Sequence, residues 1–322
     1  MSITITGGIT FTGGGLTLTA APPSSATAGW FGGGYNPYYS TVDRITFATD
    51  TATASVRGPL SIATFRNTGV NTFTYGWSAG GRISGSPPQS TITRITYATD
   101  TATSTDRGPL AGAVYGTAGT TDNTTYGWIT GGDNGGTKKT NIQRITYATD
   151  TNTASNRGFL GGYQGIRSLA GAGNSTYGWI GGGEPGNGTA RSTVARIVYA
   201  TDTANTTNRG PLSSARYFLS AAGNTNYGWF AGGIAPDVGP ISTVDRIDYS
   251  NDTATASIRG PLTSAKNSIG TAGSTDYGWI AGGSPTTSIV NRIDYVNDTV
   301  TASTKGPLSL ARYNMAGMSG QQ

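Results

Sequence analysis

Any acid–base chemistry in this chain would have to be run by carboxylates. The sequence contains no histidine and no cysteine, which removes both the side chain that titrates near neutral pH and the thiolate nucleophile or ligand. Cutting a glycosidic bond needs two carboxyl groups facing it, one of them kept protonated. Glu184 is the only glutamate, and the aspartates Asp50, Asp100, Asp150, Asp202, Asp252 and Asp298 recur once per copy of a repeated segment rather than in pairs. An Asp-x-Asp-x-Asp-Gly calcium loop does not occur. The expectation is a protein with no catalytic residue, no metal and no cofactor; a carbohydrate-active enzyme using Glu184 stays open as an alternative.

Recognition is better represented. The segment behind each of six diglycines changes from copy to copy: Tyr35-Asn36-Pro37-Tyr38-Tyr39, then residues 82–89, 133–139, 184–191, 234–240 and 284–287. Tyrosine joins an apolar ring to a polar tip, suited to stacking on a sugar or anchoring a protein contact. The candidate binding residues of this loop face are Tyr35, Tyr38, Tyr39, Arg82, Lys138, Lys139, Glu184, Arg191 and Asp237. A constant scaffold varied on one side is how repeat proteins present a binding face, although drift of unconstrained loops gives the same pattern.

The net charge of +5, from 21 basic and 16 acidic residues, raises the question of nucleic acid. Twelve of the 21 basic residues fill two repeated columns, Arg44, Arg94, Arg144, Arg196, Arg246, Arg292 and Arg57, Arg107, Arg157, Arg209, Arg259, Lys305. Charges dealt out once per copy around a ring do not make a basic groove, so no nucleic-acid partner is expected. The first of these columns, with its Arg-Ile-x-Tyr pattern, reads as structural, each Arg holding blade carbonyls or a turn Asp.

The elements that position these residues are repeated in series. The tryptophans fall at Trp30, Trp77, Trp128, Trp179, Trp229 and Trp279, 47 to 51 residues apart, and a period near fifty is one supersecondary unit copied along the chain. Tyr227-Gly228-Trp229-Phe230 runs into Gly232-Gly233, a strand stopped by residues that tolerate positive φ. Residues 244–249 are β-branched and aromatic, as a strand should be. Asn251-Asp252-Thr253 makes a turn, residues 255–258 a short outer strand, and Gly260-Pro261 breaks the chain. No amphipathic helical pattern occurs, so the fold expected is all-β. The first copy lacks an opening strand and the last copy, residues 309–317, supplies one, so blade 1 should be completed from the C-terminus and the ring closed.

The diglycines at Gly33-Gly34, Gly80-Gly81, Gly131-Gly132, Gly182-Gly183, Gly232-Gly233 and Gly282-Gly283, and the later aromatic of each copy, resemble the kelch-repeat family over residues 28–317. An Arg in the first strand is present at Arg216 and Arg312 and absent at Thr64, Val114 and Gln164. The family's tryptophan after the third strand is replaced by small residues such as Ala54 and Ala256. The resemblance implies a six-bladed β-propeller closed by a C-terminal strand.

Residues 1–22 read as a separate N-terminal β extension, residues 23–27 as a linker and 28–320 as the propeller. In the extension Ile3, Ile5, Ile9, Phe11, Leu16 and Leu18 alternate with threonines, the period of half-buried strands; an assembly anchor is expected, with packing on its own propeller as the plain alternative. No apolar run approaches the roughly 20 residues that cross a bilayer, and no secretory signal is recognised. The Ile-Thr-Ile-Thr-Gly-Gly-Ile opening, the near-identical copies and the 51 glycines of a surface-like composition look like bacteriophage structural proteins, tail or capsid appendages of marine phages. That resemblance implies a virion location without membrane insertion, several copies per particle, other virion proteins as partners of residues 1–22, and a host-surface glycan or protein as ligand. A free lectin is the alternative.

Overall fold

The computed structural model describes residues 9–12, 15–18, 26–85, 87–186 and 188–319. Six four-stranded antiparallel sheets form a ring, a six-bladed β-propeller. Blade 5 runs Ser220–Gly223, Tyr227–Ala231, Val244–Asp248 and Ser257–Arg259 from the axis outward. The first strands of the six blades contact one another in a closed circle, and their Gly, Ala, Ser and Thr content is what lets backbones converge there. The second strand is buried along nearly its whole length, and the third alternates toward the solvent.

Third and outer strands are shorter than the sequence implied. The third strand stops at Asp248 because Tyr249–Asn251 forms a single 3-10 turn, and the outer strand starts at Ser257. This turn has a purpose in the ring. Tyr249 stacks flat on Trp179 of the preceding blade, centroids 3.8 Å apart. Asp252, at the end of the turn, accepts a hydrogen bond from Trp179 Nε1 at 2.8 Å and pairs with Arg196 at 3.0 Å and Arg209 at 3.5 Å. Both arginine columns therefore grip the turn Asp, and that Asp belongs to the next blade. The clamp recurs at every seam, ending with Trp279 and Arg292 on Asp50, where Lys305 stands in place of the second arginine. The hydrogen bond from Arg196 is charge-assisted and of the strong kind, while Arg209 adds an ion pair without a hydrogen bond.

Gly210, in the recurring Arg-Gly, is more than a chain breaker. Its N–H donates to the Asp252 carbonyl, and a Cβ there would run into the carbonyl oxygen of Ala254 in the next blade.

Ala316–Ser319 pairs with Ala28–Gly32, Gly317 opposite Phe31, so the C-terminal strand completes blade 1 and closes the ring. The strand is later and shorter than residues 309–317. The chain before it is diverted because Arg312 enters the blade, its guanidinium at 2.9 Å from Asp43 and both groups without solvent exposure, while Tyr313 bridges Tyr35. Arg216 makes the equivalent pair with Asp245. These arginines thus lie ahead of the first strand, not in it. The corresponding residue of blade 4 is Ile166, not Gln164: its carbonyl accepts the N–H of the second glycine, as those of Thr64 and Val114 do.

In the extension, Ile9–Thr12 pairs with Gly15–Leu18, Ile9 opposite Leu18 and Phe11 opposite Leu16. Ile3 and Ile5 lie outside the described residues.

Candidate functional site

The loops joining second to third strands and those joining blade to blade emerge on one face. Both close on the diglycine. In blade 5, Gly232 and Gly233 take φ of 61° and 105°, which only glycine adopts at little cost. Gly233 then donates to the Lys266 carbonyl of the next blade. The residue after each diglycine is thereby set beside the chain entering its own blade, giving the backbone bridges Tyr35–Tyr313, Arg82–Phe65, Asp133–Tyr115, Glu184–Arg167, Ile234–Tyr217 and Ser284–Asn267.

One residue further on, Arg66, Gly116, Ser168, Phe218, Ser268 and Asn314 all have φ between 56° and 66°. Arg66 N–H donates to Asn314, Gly116 to Arg66, Ser168 to Gly116, Phe218 to Ser168, Ser268 to Phe218 and Asn314 to Ser268, at 2.6–3.0 Å. These six bonds run head to tail around the axis and offset the roughly 1–2 kcal/mol that a left-handed non-glycine residue costs. They form the rim of a central channel of about 190 Å³. Three variable positions per blade, carried by an invariant frame, therefore encircle one opening.

Their side chains differ sharply by sector. Tyr35 meets Tyr38, Phe65 and Tyr313 with ring centroids 5.1–5.3 Å apart, an aromatic platform. Beside it, three guanidiniums surround Tyr115: Arg82 at 4.9 Å, Arg66 at 5.6 Å and Arg167 at 6.0 Å from the ring centroid. Arg66 also reaches across the rim to Phe218, 4.8 Å from its centroid. Burial, then Arg167 and Arg82, pull Arg66 below its ordinary value.

The carboxylates of this sector are committed. Arg167 donates to Glu184 at 3.0 Å, to Asp133 at 3.1 Å and to the Tyr115 hydroxyl at 2.9 Å. Burial pushes Asp133 up, but the Gly135 N–H, the Tyr115 hydroxyl, Lys138 and Arg167 hold it below the usual carboxylate range. Arg66 and Arg82 have no carboxylate in ion-pair distance among the described residues.

Of the residues singled out from sequence, Tyr35, Tyr38 and Arg82 come together here. Glu184 is a correction: it is buried at 6% exposure and held by Arg167, so it is neither a free contact residue nor a free acid. Lys138 is spent on Asp133, at 3.6 Å. Tyr39 turns its hydroxyl to the Asn36 carbonyl of its own loop. Arg191 is exposed, Lys139 is half-buried, and neither joins an ion pair among the described residues; Asp237 stands on the exposed tip of a hairpin on blade 5, apart from the cluster. Phe65, Arg66, Tyr115, Arg167, Phe218 and Tyr313 were missed. They occupy the two adjacent columns just before the first strand, whose variability is as marked as that of the longer loops.

The described residues hold no group of three or more His, Cys, Asp or Glu that could bind a metal. No protein-family model and no curated protein matches this chain. Among solved structures it is similar to that of YjhT, with a TM-score of 0.64 and 12% identity, covering 88% of this chain and 98% of that one. At that identity the likeness shows the propeller fold alone.

Proposed function

We propose that the protein is a non-enzymatic binding propeller whose loop face holds an acidic saccharide, a hydroxylated ring carrying a carboxylate or sulfate. The observation that carries this reading is the triad of guanidiniums around Tyr115, two of them without a carboxylate partner among the described residues, beside the Tyr35 platform. A sugar ring stacks on an aromatic face, and arginine is the residue best matched to a planar or tetrahedral anion. Asp133 and Glu184 share Arg167 rather than face a common opening, which favours binding over hydrolysis.

The paired strands Ile9–Thr12 and Gly15–Leu18, which precede the propeller in the chain, favour a tether there. In this reading the propeller is the head of an appendage displayed in several copies on a virion, with residues 1–22 toward its neighbours. An immobilised panel of uronate-bearing, sulfated and neutral oligosaccharides tests the ligand class: the protein should retain the acidic members and release the neutral ones. Equal retention of both, or of an acidic peptide alone, would refute it.

A further inference from the structure

Blades 2 to 6 carry a tyrosine two residues before the tryptophan, Tyr75, Tyr126, Tyr177, Tyr227 and Tyr277. Each lies edge-on to its own Trp, centroids 5.7–5.8 Å apart. The third-strand Arg covers its face, guanidinium carbon 4.0–4.6 Å from the ring centroid. Blade 1 has Ala28 at this place. Where the ring would lie is a cavity of about 370 Å³, walled by Ala28, Trp30, Arg44, Phe73 and Tyr97. Arg44 is accordingly 29% exposed, against 17–24% for its five counterparts. A cavity of about 150 Å³ is enough to hold a benzene ring.

We propose that this cavity is a docking slot for one aromatic ring, and that its occupant is Phe11 of the same chain. Ala26, Thr27 and Ala28, which line the slot, are the residues at which the N-terminal segment joins the propeller. Phe11 is the only aromatic residue in positions 1–25, and that segment carries no charged side chain. It therefore brings no lysine or arginine against Arg44, and its ring supplies the cation–π partner that the other five arginines have. The strand pairing sets Phe11 opposite Leu16, and the chain from Leu16 to Ala26 can extend about 35 Å, ample to return to the slot. The slot opens on the face opposite the variable loops, so docking fixes the tether at the base of the disc and leaves the ligand face clear. The inference does not depend on the ligand.

Because the chain has no cysteine, two introduced thiols report proximity in the full-length protein. Ala98 lines the slot and Ala148 is its counterpart one blade on. Disulfide formation needs Cα atoms within about 7 Å, so Thr12→Cys/Ala98→Cys should crosslink within one chain at least about tenfold faster than Thr12→Cys/Ala148→Cys. Adding Phe11→Ala, or Ala28→Tyr to fill the slot, should bring the rate down to that of the control pair. Equal rates for the two pairs, linked dimers as the main product, or a rate indifferent to both added substitutions would overturn the proposal.

Discussion

At the scale of single residues, Asp252 shows how much one carboxylate can hold. It takes the indole N–H of Trp179 and two guanidiniums from the neighbouring blade while largely shielded from water. Removing one member of such a set leaves the others uncompensated, so Asp252→Ala should cost about 3–5 kcal/mol in urea unfolding. Lys266 makes the opposite point. It occupies the place of Arg216 and Arg312, but its blade has Asn291 where theirs have Asp245 and Asp43, and its Nζ is buried without a hydrogen-bond partner among the described residues. Burial pulls Lys266 down to about 8. Between that value and its unfolded value near 10.5, the unfolded chain binds a proton that the folded one does not. Stability therefore rises with pH across this window, and below it the full penalty, about 3 kcal/mol, applies. Lys266→Met should be more stable than wild type at pH 7, with the advantage shrinking between about pH 8 and 10. Comparing the two proteins cancels the buried tyrosines, such as Tyr97 and Tyr249, which burial pushes well up in both. An advantage that stays constant with pH would contradict the assignment. The arginine columns were legible in the sequence, since their repetition announced a shared structural task. The partner's blade was not, because the Trp179–Asp252 contact spans 73 residues.

At the scale of elements, the second strands and their diglycines could be read directly, because Tyr-Gly-Trp followed by Gly-Gly combines β propensity with a stop that needs positive φ. The third-strand boundary could not. Tyr249 has strand propensity, yet the stacking of Tyr249 on Trp179 and the grip on Asp252 draw the chain into a 3-10 turn. Tertiary contact overrode local preference. Gly210 belongs to this scale because it sets how closely two blades approach. Its φ is not in the left-handed region, so the cost of a side chain is steric alone. Gly210→Ala should lower stability by about 1–3 kcal/mol, as overpacking does, visible as a lower thermal midpoint. An unchanged midpoint would mean that the seam has slack.

At the scale of the whole molecule, the ring and its closure followed from the count of copies and the displaced strand at the two ends. The proposed binding face followed only in part. Tyr35, Tyr38 and Arg82 stand in loops whose variability is plain, but Arg66, Tyr115 and Arg167 come from successive repeats and meet only because the blades turn about an axis. No spacing along the chain expresses that neighbourhood. The most direct check on the account is the dissociation constant for an acidic oligosaccharide, measured by calorimetry for wild type, for Arg66→Ala/Arg82→Ala and for Asp237→Ala. Each charged hydrogen bond lost is worth about 1.5–3 kcal/mol, so the double variant should bind at least about tenfold more weakly, while Asp237→Ala binds as wild type does. Undiminished affinity in the double variant would contradict the assignment of the ligand's anionic group to the guanidiniums around Tyr115.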